Sequence, residues 1–125
     1  MSLIGVWQRA EQGVMRKILQ AGEGLMMMEV RFEAGAEGYA HSHPHEQMTY
    51  CLDGKFEFHI DGEQQLLNAG EALYIPRGAV HGVRALESGG LLDTFTPVRE
   101  DLLGADDLEA RANRKSKGLK RSTGE

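Results

Sequence analysis

The sequence predicts a single all-β domain, and three observations support this fold class. The chain has 125 residues, a length typical of one domain. Sixteen glycines, together with an aromatic content of only 6%, are typical of a chain with many tight turns between short elements. Apolar and polar residues alternate in short runs that turn residues separate. We therefore expect about eight to ten short strands, arranged as a sandwich or a barrel.

The expected strands follow one another along the first hundred residues. The first is an apolar run that ends before Gly35, and we interpret its methionine triplet as core filling. Asp53-Gly54 and Asp61-Gly62 are hairpin turn signals, and segments with glycine or proline separate the later runs. The predicted strands cover residues 25–32, 47–52, 56–60, 64–67, 72–75, 81–85 and 91–96.

The pattern changes after Pro97. Residues 106–113 are expected to form a short helix, with Asp106 or Asp107 near its start. We divide the chain into a β-barrel domain over residues 1–104 and a short helix with a basic, flexible tail over residues 105–125. A solvated terminus is our main interpretation of the tail, and contact with an anionic surface is the alternative. Its basic residues are Arg111, Arg114, Lys115, Lys117, Lys120 and Arg121.

Charge and cysteine content exclude several classes of function. Residues 1–110 carry 8 basic and 18 acidic side chains, whereas residues 111–125 carry 6 and 1. Because binding to phosphates needs a positive face, the acidic body argues against nucleic acid as the main partner. No segment approaches the roughly 20 apolar residues of a membrane span. Cys51 is the only cysteine, so we expect a protein without an intramolecular disulfide in the reducing cytoplasm.

Histidines cluster in the sequence His41-Ser42-His43-Pro44-His45. His41 and His43 are two residues apart, so on a strand both imidazoles project from one face, as two ligands of the same metal must. Pro44 favours a turn, after which Gln47 opens the next strand. His81 is the candidate ligand from a distant segment. We interpret His45 as a loop residue and expect His59, on an alternating strand, to face solvent.

The spacing of these residues matches a known pattern. Gly35-x5-His41-x-His43-x3-Gln47-x6-Gly54 resembles the first cupin motif, and Gly70-x5-Pro76-x-Gly78-x2-His81 resembles the second. The resemblance implies a double-stranded β-helix, or jelly roll, with one divalent metal ion in the barrel mouth. It assigns the ligands as His41, His43, Gln47 and His81. Gln47 stands where many cupins have Glu, and Ala85 stands where many have Asn.

The neutral amide of Gln47 affects the expected chemistry. With three imidazoles it leaves the +2 charge of the ion uncompensated, which favours anionic oxygen ligands and Lewis-acid polarisation. Iron oxygenases commonly use a carboxylate ligand, so oxygenase chemistry is disfavoured. Asp93 and Phe95 share parity on the last strand, and Arg99 follows Pro97. A strand-end cap for Asp93 and a surface ion pair for Arg99 are the structural alternatives to catalytic roles.

A more specific resemblance lies in the His-Ser-His-Pro-His-Glu-Gln string, in Tyr74-Ile75-Pro76 and in the Asp-x-Phe-x-Pro-x-Arg ending. Together they resemble the small pectin-degradation cupins of the KdgF type. The resemblance implies conversion of cyclic 4,5-unsaturated monouronates, released by pectin and alginate lyases, into linear keto-uronates. Metal and Arg99 are then expected to hold the uronate, Asp93 to transfer a proton and Phe95 to pack on the sugar ring.

Two other classes of function remain open from the sequence. One is a metal-dependent dioxygenase or cyclase of the same superfamily, and the other is a cupin that binds a metabolite without catalysis. Histidine and glutamine accept Ni, Zn, Mn, Fe or Co, so the ligand set does not identify the metal. We expect a small anionic substrate, a sugar acid, and a homodimer in which residues 3–7 supply an exchanged edge strand.

Overall fold

The computed structural model describes the backbone of residues 1–123 and the side chains of residues 1–114. It contains eight strands, a short 3-10 helix and one α-helix. Their bounds are β1 Trp7–Glu11, β2 Val14–Ala21, β3 Met26–Phe32, β4 Glu37–His41, β5 Glu46–Ile60, β6 Glu63–Asn68, β7 Ala72–Ile75, β8 His81–Thr96, the 3-10 helix Glu100–Leu102 and α1 Ala105–Thr123. The all-β prediction is confirmed.

Two long strands organise the sheet. β5 and β8 pair along their whole lengths in antiparallel register, from Glu46 opposite Thr96 to Ile60 opposite His81. One half of β8 pairs with β3 and the other with β4, while β5 pairs first with β7 and then with β6. β2 and β1 continue the layer beyond β3. The result is the double-stranded β-helix implied by the motifs, with two layers that share β5 and β8.

Two sequence-based boundaries are wrong. Asp53-Gly54 is not a hairpin turn, and residues 88–90 do not separate two strands, because β5 and β8 run through both segments. The register shifts between Cys51 and Phe56, where the two strands bend past each other. Gly54 has a φ of 84°, and a Cβ built on it lies 2.6 Å from the carbonyl oxygen of Ser88. Glycine marks both turns and bulges, so the sequence pattern does not distinguish them.

The barrel core is built from the inward residues of these strands. Phe32 and Phe56 pack edge to face with ring centroids 5.2 Å apart. Two of the three methionines in the triplet, Met26 and Met28, are buried, which confirms their interpretation as core residues, whereas Met27 is exposed. The turn at Asp61-Gly62 is confirmed, and both residues have positive φ.

The C-terminal helix differs from the expectation. It begins at Ala105 and continues to Thr123, ten residues beyond the predicted end. Arg111 is not a solvated tail residue: it is buried, and its guanidinium donates to the carbonyl oxygens of Gly22 and Glu23 and contacts Glu100. Arg114 is exposed, as a solvated terminus predicts. The side chains of Lys115, Lys117, Lys120 and Arg121 lie outside the described residues. None of the described helices is long and apolar enough to cross a membrane.

Candidate metal centre

Three imidazoles converge at one end of the barrel. His41 ends β4 and His81 begins β8, and these two residues are opposite each other in the ladder. His43 lies in the loop after β4, and its ring centroid is 4.9 Å from that of His81. One candidate ligand atom from each of the three residues lies within 4.8 Å of the other two. The structure thus brings together three of the four residues predicted to bind metal from two distant segments.

The backbone fixes the orientation of all three rings. Nδ1 of His41 and Nδ1 of His81 lie 2.9 and 3.0 Å from the carbonyl oxygen two residues earlier in the chain. Nδ1 of His43 lies 3.2 Å from the carbonyl oxygen two residues later. Because a carbonyl oxygen only accepts, each Nδ1 carries the proton and each Nε2 keeps its lone pair, the tautomer of a metal-binding histidine.

Gln47 lies beside this cluster at the start of β5. Its Oε1 is 3.1 Å from Nε2 of His43, while its Nε2 donates to Oγ1 of Thr49 at 2.9 Å. Thr49 in turn donates to Oδ1 of Asp93 at 2.7 Å. Thr49 accepts from the amide nitrogen of Gln47, so the amide oxygen faces the histidines. All of these side chains except that of His41 are buried.

Burial controls the charges of the site. Burial lowers the pKa of His43 to about 4, and the positive charges of Arg99 and the other two histidines act in the same direction. Burial also lowers the pKa of His81. Both imidazoles are therefore neutral near pH 7, as a metal ligand must be. Burial raises the pKa of Asp93 to about 6, although the hydrogen bond from Thr49 and the charge of Arg99 oppose this shift.

A cavity of about 340 Å³, lined by His41 and His81, adjoins the cluster, and its volume is within the usual range of ligand pockets. Asp93, Phe95 and Arg99 all line it, and the predicted shared inward face of Asp93 and Phe95 is confirmed. The guanidinium carbon of Arg99 lies 5.2 Å from the centroid of the Phe95 ring. Nε and Nη2 of Arg99 form a bidentate pair with Asp101, at 3.0 and 2.8 Å. Arg99 therefore forms an ion pair, which was the structural alternative for this residue, and it also lines the cavity.

The other two histidines lie outside the cluster, as predicted. His45 occupies the bend between β4 and β5 and provides the carbonyl oxygen that holds His43. The side chain of His59 is 55% exposed and contacts Glu57.

Sequence reasoning missed three residues of the site. Thr49 shares its strand face with Gln47, so strand parity was a signal that could have found it. Asp101 follows Arg99 by two residues, but only the structure shows that it holds the guanidinium. Arg16 lines the cavity from β2, and nothing in the local sequence distinguishes it from a surface arginine.

The donor set suits a divalent metal ion. Three Nε2 lone pairs and an amide oxygen come together at a site where the ring tautomers are already fixed. Neutral imidazoles and oxygen donors suit Zn, Ni, Fe, Mn and Co. We therefore regard the cluster of His41, His43 and His81 as a metal-ion site.

A double-stranded β-helix with two histidines before β5 and a third at the start of β8 defines the cupin class. The model of the cupin domain family matches residues 28–92, and the chain belongs to this family. It is 41% identical over 99 residues to the pectin degradation protein KdgF of Dickeya dadantii (strain 3937), a match that covers 78% of this chain and 90% of that protein.

Solved structures agree with this membership. The structure of KdgF from Halomonas sp. is 40% identical, with a TM-score of 0.74 over 78% of this chain and 90% of that one. An RmlC-like cupin from Shewanella frigidimarina NCIMB 400 is 37% identical, with a TM-score of 0.73 over 76% of this chain and 86% of that one.

Proposed function

We propose that this protein is a metal-dependent enzyme of pectin degradation, which converts cyclic 4,5-unsaturated monouronates into linear keto-uronates. The observation that carries the proposal is a cavity lined by two histidines of the cluster, His41 and His81, by a buried carboxylate and by an arginine. The similarity to a protein named for pectin degradation supports the substrate class. A buried single cysteine, Cys51, fits the predicted cytoplasmic location.

His41, His43, Gln47 and His81 are the proposed ligands of one divalent ion. When bound, the ion supplies Lewis-acid polarisation of an oxygen atom of the substrate. Gln47 contributes no negative charge, so the site keeps its attraction for an anionic sugar acid. Thr49 holds the Gln47 amide in the orientation that this role needs.

Asp93 is the proposed proton-transfer residue. It is buried, faces the cavity and accepts a hydrogen bond from Thr49. The substrate is a ring enol ether: protonation at C4 and addition of water at C5 give a hemiketal, and the attacking water returns one proton to the carboxylate. The bond between C5 and the ring oxygen then breaks as the C5 hydroxyl loses its proton and the ring oxygen gains one, which yields the ketone. The aldehyde hydrate left at C1 loses water, so the overall change is an isomerisation. A carboxyl group in contact with the ring can deliver the proton to C4.

Arg99 and Phe95 are proposed to position the sugar acid. Asp101 occupies Nε and one N–H of Nη2, which leaves the opposite edge of the guanidinium for the substrate carboxylate. The ion pair with Asp101 also restricts the arginine to one orientation, which reduces the entropy lost on binding. Phe95 supports the guanidinium face and offers an apolar surface to the ring.

The test is incubation of metal-loaded protein with freshly released unsaturated galacturonate. We expect the ultraviolet absorbance of the conjugated enol ether to decay faster than in buffer, and Asp93→Asn to lower the rate by roughly 100-fold or more. Glu63→Gln, which changes an exposed carboxylate of β6, is the control and keeps the rate. A wild-type rate equal to that in buffer rejects the proposal, and oxygen consumption by iron-loaded protein favours the dioxygenase alternative instead.

We also propose a homodimer. Tyr74, Met48, Thr94 and Met27 are neighbours across β7, β5, β8 and β3, and the three apolar members of this row are exposed. An apolar row of this kind suits an isologous contact with a second copy of the chain. The exchange of residues 3–7 has less support, because Ile4 forms a bridge with Ile18 of its own chain. Sedimentation equilibrium tests the dimer, and a concentration-independent monomer rejects it.

A further inference from the structure

Arg16 faces the cavity from the wall built by β2. Its strand neighbours of the same parity, Val14 and Ile18, are both buried in the core, so the side chain of Arg16 is directed into the barrel. It is paired across the sheet with Val30 of β3. Arg16 lines the same cavity as His41.

The guanidinium of Arg16 lacks a partner within the part of the chain whose side chains the structure describes. Its Nε is buried without a hydrogen bond, and no salt bridge joins it to a described carboxylate. Glu11, which also lines the cavity, instead accepts a hydrogen bond from the backbone N–H of Tyr39 at 3.1 Å. A partly desolvated cation without an acceptor is unfavourable, and a ligand with oxygen acceptors offsets that cost.

The two arginines that line the cavity therefore differ in whether their guanidinium groups have a carboxylate partner. Arg99 forms an ion pair with Asp101 beside the histidine cluster, whereas Arg16 has no ion-pair partner among the described side chains. β2 is separated from β8 by β3, so the backbones of the two strands that carry Arg16 and Asp93 lie about 10 Å apart. Apolar side chains of Met28, Val30 and Leu91 line the cavity as well. A ligand that spans it thus meets polar groups at two ends and apolar surface in the middle.

We propose that Arg16 is a specificity-determining residue, which donates hydrogen bonds to hydroxyl oxygens at the end of the sugar ring remote from the carboxylate. This inference rests on the proposed function, in which Arg99 and the metal hold the carboxylate. The planar guanidinium presents adjacent N–H groups at the spacing of two neighbouring oxygen atoms. Arg16 thereby selects polyhydroxylated acids over cyclic acids that lack hydroxyl groups, because the latter leave the guanidinium unpaired.

Calorimetric binding to the metal-loaded full chain tests the inference without turnover. The two probes are D-galacturonate and tetrahydropyran-2-carboxylate, which share a ring and a carboxylate but differ in hydroxyl groups. We expect the wild type to prefer galacturonate. Arg16→Met weakens galacturonate binding about tenfold or more and leaves binding of the unsubstituted acid within about twofold. Arg16→Lys, which keeps the charge but loses the planar fork, gives an intermediate loss.

Arg9→Met is the matched control, because Arg9 is exposed on the adjacent strand β1 and lies outside the cavity lining. It keeps both affinities, and thermal unfolding verifies that each variant is folded. Equal weakening of both probes in Arg16→Met, unchanged galacturonate binding, or no galacturonate binding by the wild type overturns the inference. Selective binding of galacturonate without ring opening of the unsaturated substrate supports the specificity role of Arg16 and rejects the proposed reaction. Failure of the inference and failure of the proposed function are therefore distinguishable.

Discussion

At the scale of single residues, the candidate metal centre depends on which atom each histidine leaves free. Backbone carbonyl oxygens engage every Nδ1, so the Nε2 atoms are the available donors. Spacing predicted that His41 and His43 share a site, and the motif indicated His81. The Thr49 hydroxyl, which orients Gln47 and donates to Asp93, was not predicted, although Thr49 shares a strand face with Gln47.

Replacing one proposed ligand tests the metal centre directly. We expect His81→Ala to weaken metal binding at least about 100-fold, because it removes one of the three imidazole ligands. Elemental analysis after dialysis against a metal buffer measures this, and a chelator lowers the melting temperature of the wild type far more than that of the variant.

The control is His59→Ala, which removes an exposed imidazole from β5 and is expected to keep the metal content of the wild type. Equal metal affinity in His81→Ala and the wild type contradicts the ligand assignment.

At the scale of elements, the crossing of β5 and β8 shapes the barrel. Gly54 and Gly89 pack against each other's backbone, and a Cβ on Gly89 lies 2.1 Å from the carbonyl oxygen of Asp53. This contact lets each strand bend from one layer into the other without ending. His81 and Asp93, at the two ends of β8, therefore line one cavity.

Two alanine substitutions separate backbone strain from steric conflict at this crossing. Gly54 and Gly62 share a φ of 84°, but an added Cβ meets backbone only at Gly54. We expect Gly62→Ala to lower the free energy of unfolding by about 1–2 kcal/mol, from the positive φ alone. Gly54→Ala adds an overpacking cost and lowers it by roughly 3 kcal/mol or more. Urea unfolding measures both, and equal losses contradict the steric role of the crossing.

At the scale of the whole molecule, the N-terminal segment packs against the start of the C-terminal helix. Asp107, near the start of α1, accepts hydrogen bonds from the backbone N–H of Leu3 at 2.8 Å and from the hydroxyl of Ser2. Gly104 N–H donates to the same carboxylate. Burial alone raises the pKa of Asp107, but these hydrogen bonds outweigh it, and the net pKa is lowered. We therefore expect this contact between the two termini to depend on pH.

The lowered pKa of Asp107 sets the sign of this dependence. Its stabilising contribution is complete above the unfolded pKa of about 3.9 and is lost as the pH falls through the lower folded pKa. We expect Asp107→Asn to be less stable than the wild type at pH 7 by about 1–3 kcal/mol, and the difference to shrink below about pH 4.

Urea unfolding at a series of pH values measures the difference. Glu109→Gln, an exposed substitution on the same helix, is the control and is expected to follow the wild type at every pH. A gap between Asp107→Asn and the wild type that stays constant down to pH 2 contradicts the role of this carboxylate.

The sequence alone determined the fold class, the positions of β3 and of β5 to β8 and, through motif spacing, the cluster of His41, His43 and His81, because these patterns are local properties of the chain. It did not predict β1, β2 or β4. Tertiary structure alone decided that β5 and β8 are continuous, that Arg111 is buried and that Arg16 faces the cavity. These properties depend on contacts between distant segments. A glycine in a turn has the same local sequence pattern as a glycine in a bulge. An arginine at the surface has the same local pattern as one that faces a cavity, and only the packing of distant segments distinguishes them.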